Sequence, residues 1–162
     1  EIMKNNNTKY LTQSGVIAAL YVALTLLAKV FGLDSGQIQL RLSEALCVLP
    51  VFLPAAVPGL TIGCLLANLL CGNIIWDVVF GTLATLLGAI GTRLLRKRPL
   101  LALLPPILSN TIIVPFVLAY AYCLPGSVPF FMLTVGIGEV LSCGLLGSLL
   151  YNTLDKHKNQ LF

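Results

Sequence analysis

Six apolar stretches, most of them close to the thickness of a lipid bilayer, leave this sequence little choice of fold. They run from about Ser14 to Phe31, Leu40 to Leu53, Gly59 to Leu70, Trp76 to Leu95, Leu100 to Leu124 and Phe130 to Tyr151. Wound as a helix, the first would cover roughly 27 Å, near the hydrocarbon thickness. In lipid every backbone N–H and C=O must be satisfied within the protein, so only helices and closed barrels cross. A barrel would show short segments of alternating polarity, and none occurs. Only 10% of the residues are charged, against about 25% in soluble domains. The expected fold is an all-α membrane protein with six transmembrane helices in one bundle. It forms a single domain over residues 12–154, with a frayed polar segment at 1–11 and a polar tail at 155–162.

Basic residues orient such a bundle. With six spans, Lys4, Lys9, Arg93, Arg96, Lys97, Arg98, Lys156 and Lys158 fall on one side, and only Lys29 and Arg41 on the other. Both termini are therefore expected in the cytoplasm of a multi-pass cell-membrane protein. This topology accounts for the excess of positive charge, so nucleic acid is not an expected partner. The first apolar run is too long for a signal peptide and lacks a small-residue cleavage site. Glu1-Ile2 ahead of Met3 reads as an expression remnant.

The acids are distributed the other way. Asp34, Glu44, Asp77 and Glu139 belong to the outer half or the midplane, with Gln39, Asn68, Asn73, Asn110 and Trp76. Glu139 is expected roughly 15 Å deep, about ten residues into the last span. Acids at such depth face a cavity, a partner or a path. Together they outline an outward-facing pocket of carboxylates, amides and one large aromatic, suited to a flat ring rich in N–H donors. Arg41 and Glu44, three residues apart, are expected to share a helical face and brace each other. Asp77, Gly81, Thr85, Gly88 and Thr92 recur at steps of four, four, three and four and are expected to face inward.

A second pattern is the small stripe Gly15, Ala19 and Ala23 at strict four-residue spacing, which lets another helix approach closely. It serves either this chain's own bundle or a partner subunit. The uncharged turn Pro54–Gly59 would also suit burial against protein. Pro105, Pro106 and Pro115 interrupt the fifth span, with Asn110 between them. The five cysteines form no C-x-x-C motif and read as packed thiols,. A Cys71–Cys123 bridge is conceivable, since both sit near helix ends on one side,. The lone histidine, His157, lies in the tail, so no metal site, cofactor or catalytic triad is expected. No phosphate-binding loop is present, so the chain is not expected to hydrolyse nucleotide itself. A binding subunit energised by partners fits better than an enzyme or a free-standing pump.

The chain resembles the substrate-binding S component of an energy-coupling factor (ECF) transporter, and more narrowly the QueT family. The resemblance rests on Arg41-Leu-Ser-Glu-Ala-Leu46, Trp76-Asp77 with Gly81-Thr82, Asn110 and Val135-Gly-Ile-Gly-Glu139. It implies a transport subunit, not an enzyme, in the bacterial cytoplasmic membrane. The implied substrate is a queuosine precursor, a 7-deazaguanine base such as pre-queuosine with an aminomethyl arm. Glu44, Asp77, Glu139, Asn110, Trp76, Arg41 and Asn68 are the implied ligand residues, with no assignment of acids to ligand edges. The resemblance also implies docking of Gly15, Ala19 and Ala23 on a membrane coupling subunit that works with two cytoplasmic ATPases. Toppling of the subunit in the membrane is the implied mechanism, with the loop Gly32–Gln39 as an outer lid. An S component for another vitamin or nucleobase, an intramembrane enzyme and a scaffold remain as alternatives.

Overall fold

The computed structural model describes residues 2–33 and 38–157, with side chains from residue 7 onward. Among the described residues the chain forms six helices and no strand. They are α1 Ile2–Val30, α2 Leu42–Val51, α3 Ala56–Leu70, α4 Ile75–Leu94, α5 Leu101–Ala121 and α6 Val128–Lys156. Four are long and apolar enough to cross a membrane: α1 over Asn7–Val30, and α4, α5 and α6 in full. The stretches expected as the second and third spans are shorter, at 10 and 15 residues. α1 runs back through the polar segment to Ile2. Asp34, half of the expected Gly32–Gln39 lid (residues 34–37) and Lys158 lie outside the described residues. Cys71 and Cys123 are both free thiols, so the bridge considered above does not form.

The helices pack around α2, which touches α1, α3, α4, the start of α5 and the second half of α6. α2 winds as a 3-10 helix over its whole length and carries Pro50 inside it. Such runs rarely exceed three or four residues. A proline inside an α-helix removes one i→i−4 bond and clashes with a carbonyl. The tighter winding also makes α2 thin enough to be enclosed. Cys47 and Val48 are fully buried, and Glu44 is 1% exposed. Arg93 reaches from the last turn of α4 to donate to the Pro50 and Val51 carbonyls at 3.0 and 3.3 Å. A cation there answers the partial negative charge of a helix C-terminus.

Glycines set the closest approaches between helices. In α3, Gly59 lies against Ser14 and Ile17 of α1, and Gly63 against Ala18 and Tyr21. Ser14 Oγ also donates to the Ala55 carbonyl at 2.9 Å, which ties the uncharged turn before α3 to α1. α4 and α5 meet where Gly88 and Gly91 accept the rings of Pro106 and Pro105. Those prolines open the α-helical part of α5, where a missing N–H leaves no bond unmade,. The expected inward face of α4 is buried throughout: Asp77, Gly81, Thr85, Gly88 and Thr92.

Two helices change pitch midway. α5 passes into a π-helical turn at Val117–Ala121, just beyond Pro115. α6 does so at Val140–Leu146, immediately after Glu139. The outer faces are apolar, with Val79, Leu83, Leu87, Leu133, Leu145 and Leu149 all exposed. A water-soluble monomer rarely shows so continuous an apolar surface; lipid is the medium that covers it.

This packing separates two glycines on neighbouring helices. A Cβ at Gly63 would fall 2.7 Å from Tyr21 Cβ, whereas one at Gly15 meets nothing within 4 Å. Gly63→Ala is expected to lower stability in detergent by about 1–3 kcal/mol through overpacking. Gly15→Ala should leave the melting temperature unchanged or slightly raised. Equal melting temperatures for the two variants would contradict this account of α1–α3 packing.

Candidate functional site

At one end of the bundle the helices part around a cavity of about 240 Å³. α1 contributes Tyr21, Thr25 and Ala28. The connector and α2 contribute Gln39, Arg41 and Ser43. Asn68 comes from α3, Cys71 and Asn73 from the turn after it, Asp77 from α4, and Leu118, Tyr122 and Leu124 from α5 and beyond. Five segments thus converge on one hole, and most of its lining side chains are polar in a chain that is otherwise apolar.

Each wall has a local cause. Asp77 sits in the first turn of α4, where the positive end of the helix favours a carboxylate. Tyr122 Oη donates to Asp77 Oδ2 at 3.1 Å. Gly81 lies one turn below Asp77, and a Cβ there would meet Asn68 Nδ2 at 3.2 Å and Asp77 Oδ1 at 3.5 Å. The missing side chain lets Asn68 and Asp77 stand together. Asn73 Nδ2 donates to Asn68 Oδ1 at 3.1 Å, so the turn after α3 holds that amide's orientation. At the lip, Lys29 donates to the Cys71 carbonyl at 2.7 Å and joins the ends of α1 and α3.

Glu44 lies beneath the cavity and does not line it. Its Oε1 accepts from Tyr21 Oη at 2.7 Å and its Oε2 from Cys47 Sγ at 3.0 Å. A 3-10 helix has three residues per turn, so Glu44 and Cys47 stack in one row. Arg41 stands at the head of that row but outside the helix, in extended conformation. The expected helical brace is therefore not what forms, and the Arg41 side chain makes no hydrogen bond or ion pair among the described residues. Its guanidinium instead feels the charge of three carboxylates, those of Asp77, Glu44 and Glu139. Backbone contacts fix its base: Arg41 N–H donates to Ser142 Oγ at 3.1 Å, and Gly138 leaves room for the Gln39 carbonyl against α6.

Glu139 borders a second, water-sized chamber of about 10 Å³, which shares Gln39 and Arg41 with the large cavity. Asn110 lies beside Glu139, one turn along α5 from Val114 of the chamber wall. Trp76 lines neither space. It stacks on Phe80 at 6.1 Å in an apolar groove on the outer surface, with Phe116 and Tyr120. Of the seven ligand residues expected from sequence, Arg41, Asp77 and Asn68 line the large cavity. Glu44 supports it, Glu139 and Asn110 adjoin it, and Trp76 faces away. The aromatic walls are Tyr21 and Tyr122, which the sequence reading did not single out. Gly15, Ala19 and Ala23 are all exposed on the opposite side of α1.

A family model described as QueT transporter matches residues 11–156. Among curated proteins, the Queuosine precursor transporter QueT of Lactococcus lactis subsp. cremoris (strain MG1363) is 36% identical over 85 residues, 52% of this chain and 49% of that protein. The matched region thus spans about half the length of that relative. No solved structure matches.

The Glu44 environment makes a test independent of any ligand. Tyr21→Phe removes the donor to a fully buried carboxylate and is expected to lower stability by about 1–3 kcal/mol. Tyr10→Phe, at an exposed position on the same helix, should change nothing. A Tyr21→Phe melting temperature equal to that of the unmodified protein would remove the hydrogen bond from the support of the site.

Proposed function

The chain belongs to the QueT transporter family, and on that footing we propose that it is the substrate-binding S component of an ECF transporter importing a queuosine precursor. The substrate is a 7-deazaguanine base such as pre-queuosine. The observation that carries this reading is the polar cavity at one end of the bundle, lined by Arg41, Asp77, Asn68 and Asn73. Its volume of about 240 Å³ suits one fused bicyclic ring. Asp77 Oδ1 has no partner among the described residues and can accept from ring or amine N–H groups. The amides can donate or accept, and the Arg41 guanidinium offers five donors. Tyr21 and Tyr122 supply faces on which a flat ring can stack, the role assigned from sequence to Trp76.

The same proposal gives the chain six spans in one membrane domain over residues 12–154, with both termini in the cytoplasm of a bacterium. Enclosed by its neighbours, α2 need not match the full thickness of the hydrocarbon. The cavity then opens outward, and Arg93, Arg96, Lys97 and Arg98 lie inside, as the positive-inside rule asks. The exposed stripe Gly15, Ala19 and Ala23 is the docking face for a membrane coupling subunit driven by two ATPases. It is free for this because Gly59 and Gly63 carry the chain's own close helix contact. α1 thus presents Tyr21 and Thr25 to the ligand on one face and the stripe to a partner on the other. Transport follows from toppling of the whole subunit, and the chain itself catalyses no reaction.

Two experiments test this. Purified protein should bind pre-queuosine saturably with 1:1 stoichiometry by calorimetry; an absence of saturable binding, or copurification of an unrelated vitamin, would replace the substrate assignment. The paired substitutions Ala19→Leu and Ala23→Leu project from an exposed face, so ligand affinity should stay within about twofold while assembly and uptake are lost. Normal copurification with the coupling subunit would refute the docking role.

A further inference from the structure

We propose that the apolar groove between α4 and α5 binds the acyl chain of one phospholipid, with Trp76 and Tyr120 donating to the oxygens at the head of that chain. The groove holds about 520 Å³, against about 240 Å³ for the polar cavity. One wall is Trp76, Phe80 and Leu83 of α4, and the other includes Ile112, Phe116 and Tyr120 of α5. No charged residue lines it. Trp76 and Phe80 stack at 6.1 Å along the first wall, and Phe116 and Tyr120 at 6.2 Å along the second.

The packing of the two helices explains why a groove lies there. Toward one end, Gly88 and Gly91 admit the rings of Pro106 and Pro105, so α4 and α5 approach closely. Toward the other, the helices are joined through the long side chain of Tyr122, whose Oη donates to Asp77 Oδ2 at 3.1 Å. The π-helical turn Val117–Ala121 lies at this second end, and Val117, Tyr120 and Ala121 all line the groove. Asp77 faces the polar cavity, which leaves its neighbour Trp76 on the opposite side,.

The chemistry of the groove selects its occupant. Both helices are long and apolar enough to cross a membrane, so the groove opens to lipid. Close helix docking in lipid relies on small residues. Here aromatic rings stand on both walls and hold another helix backbone away, whereas a flexible chain fits between them. Trp76 is 57% exposed and Tyr120 73%, and neither Trp76 Nε1 nor Tyr120 Oη has a hydrogen-bond partner among the described residues. α4 begins at Ile75 and α5 ends at Ala121. Both donors therefore sit at helix ends, where amphipathic rings lie at headgroup level. Their N–H and O–H suit ester and phosphate oxygens. Leu83 and Ile112, further along the two helices, give the chain a purely apolar channel. With no base in the groove, the headgroup charge is not read.

Trp76 is the single tryptophan of the chain, so its fluorescence reports occupancy directly. The purified full chain in detergent is titrated with phosphatidylcholine or phosphatidylglycerol brominated on an acyl chain. Quenching should saturate at one lipid per protein, with midpoints for the two headgroups within about twofold. Phe116→Ala, at an exposed wall position, should raise the midpoint by about fivefold or more through lost apolar contact. Leu133→Ala, exposed on α6, should leave it unchanged, and equal melting temperatures should show that both variants are folded. Native mass spectrometry should find the lipid retained in excess pre-queuosine. Quenching that rises without saturation, or equal midpoints for Phe116→Ala and Leu133→Ala, would overturn the site. So would a dimer that shields Trp76 from the brominated chain, which would make the groove an interface between copies. Displacement of the lipid by pre-queuosine would overturn it as well, by putting the ring in the groove.

Discussion

Charge buried in an apolar bundle is the constraint on which the rest of this structure depends. Three carboxylates from three segments, Glu44, Asp77 and Glu139, act electrostatically on one guanidinium, that of Arg41. An isolated ion in a medium of low dielectric is penalised severely, and even a paired one is only partly compensated. Here no close ion pair forms among the described residues. The charges are held instead by neutral donors, Tyr21 and Cys47 to Glu44 and Tyr122 to Asp77. A tight salt bridge would consume its own hydrogen-bonding capacity. In the proposed site, a loose cluster around the cavity would leave Arg41 and Asp77 available to a ligand that brings its own donors and acceptors.

The fold serves that cluster. Glu44 can lie beneath the cavity because α2 is thin and central, and α2 can be central because Gly59 and Gly63 bring α3 against α1 while Gly88 and Gly91 admit the α5 prolines. Arg93 closes the far end of α2. Small residues therefore act twice on α1 and its neighbours. Within the chain they allow close packing, and on the free face of α1 they leave a flat stripe. One helix thereby joins the wall of the cavity to the surface proposed for partner docking, with no mobile loop between them.

Much of this was legible in the sequence, for physical reasons. Charges in long apolar runs are conspicuous, so Glu44, Asp77 and Glu139 stood out. The inward face of α4 followed from helical spacing. The orientation of Trp76 was legible too, because adjacent helical residues point about 100° apart: once Asp77 faces inward, Trp76 and Phe80 face out. The winding of α2 was not legible, since an apolar run enclosed on all sides has no polar face to reveal its period. Tyr21 and Tyr122 were missed because an aromatic in an apolar run gives no signal until a partner such as Glu44 or Asp77 is seen beside it. The brace expected between Arg41 and Glu44 assumed a helix that includes Arg41, whereas α2 begins one residue later, at Leu42.

On the proposed reading the ligand binds in the polar cavity between α1 and α4, and not in the apolar groove on the outer surface. The most direct measurement is an experimental structure of the purified protein with pre-queuosine bound. The ring should lie among Tyr21, Arg41, Asn68, Asp77 and Tyr122. Density for the ring beside Trp76 and Phe80, with the polar cavity unchanged, would contradict the account.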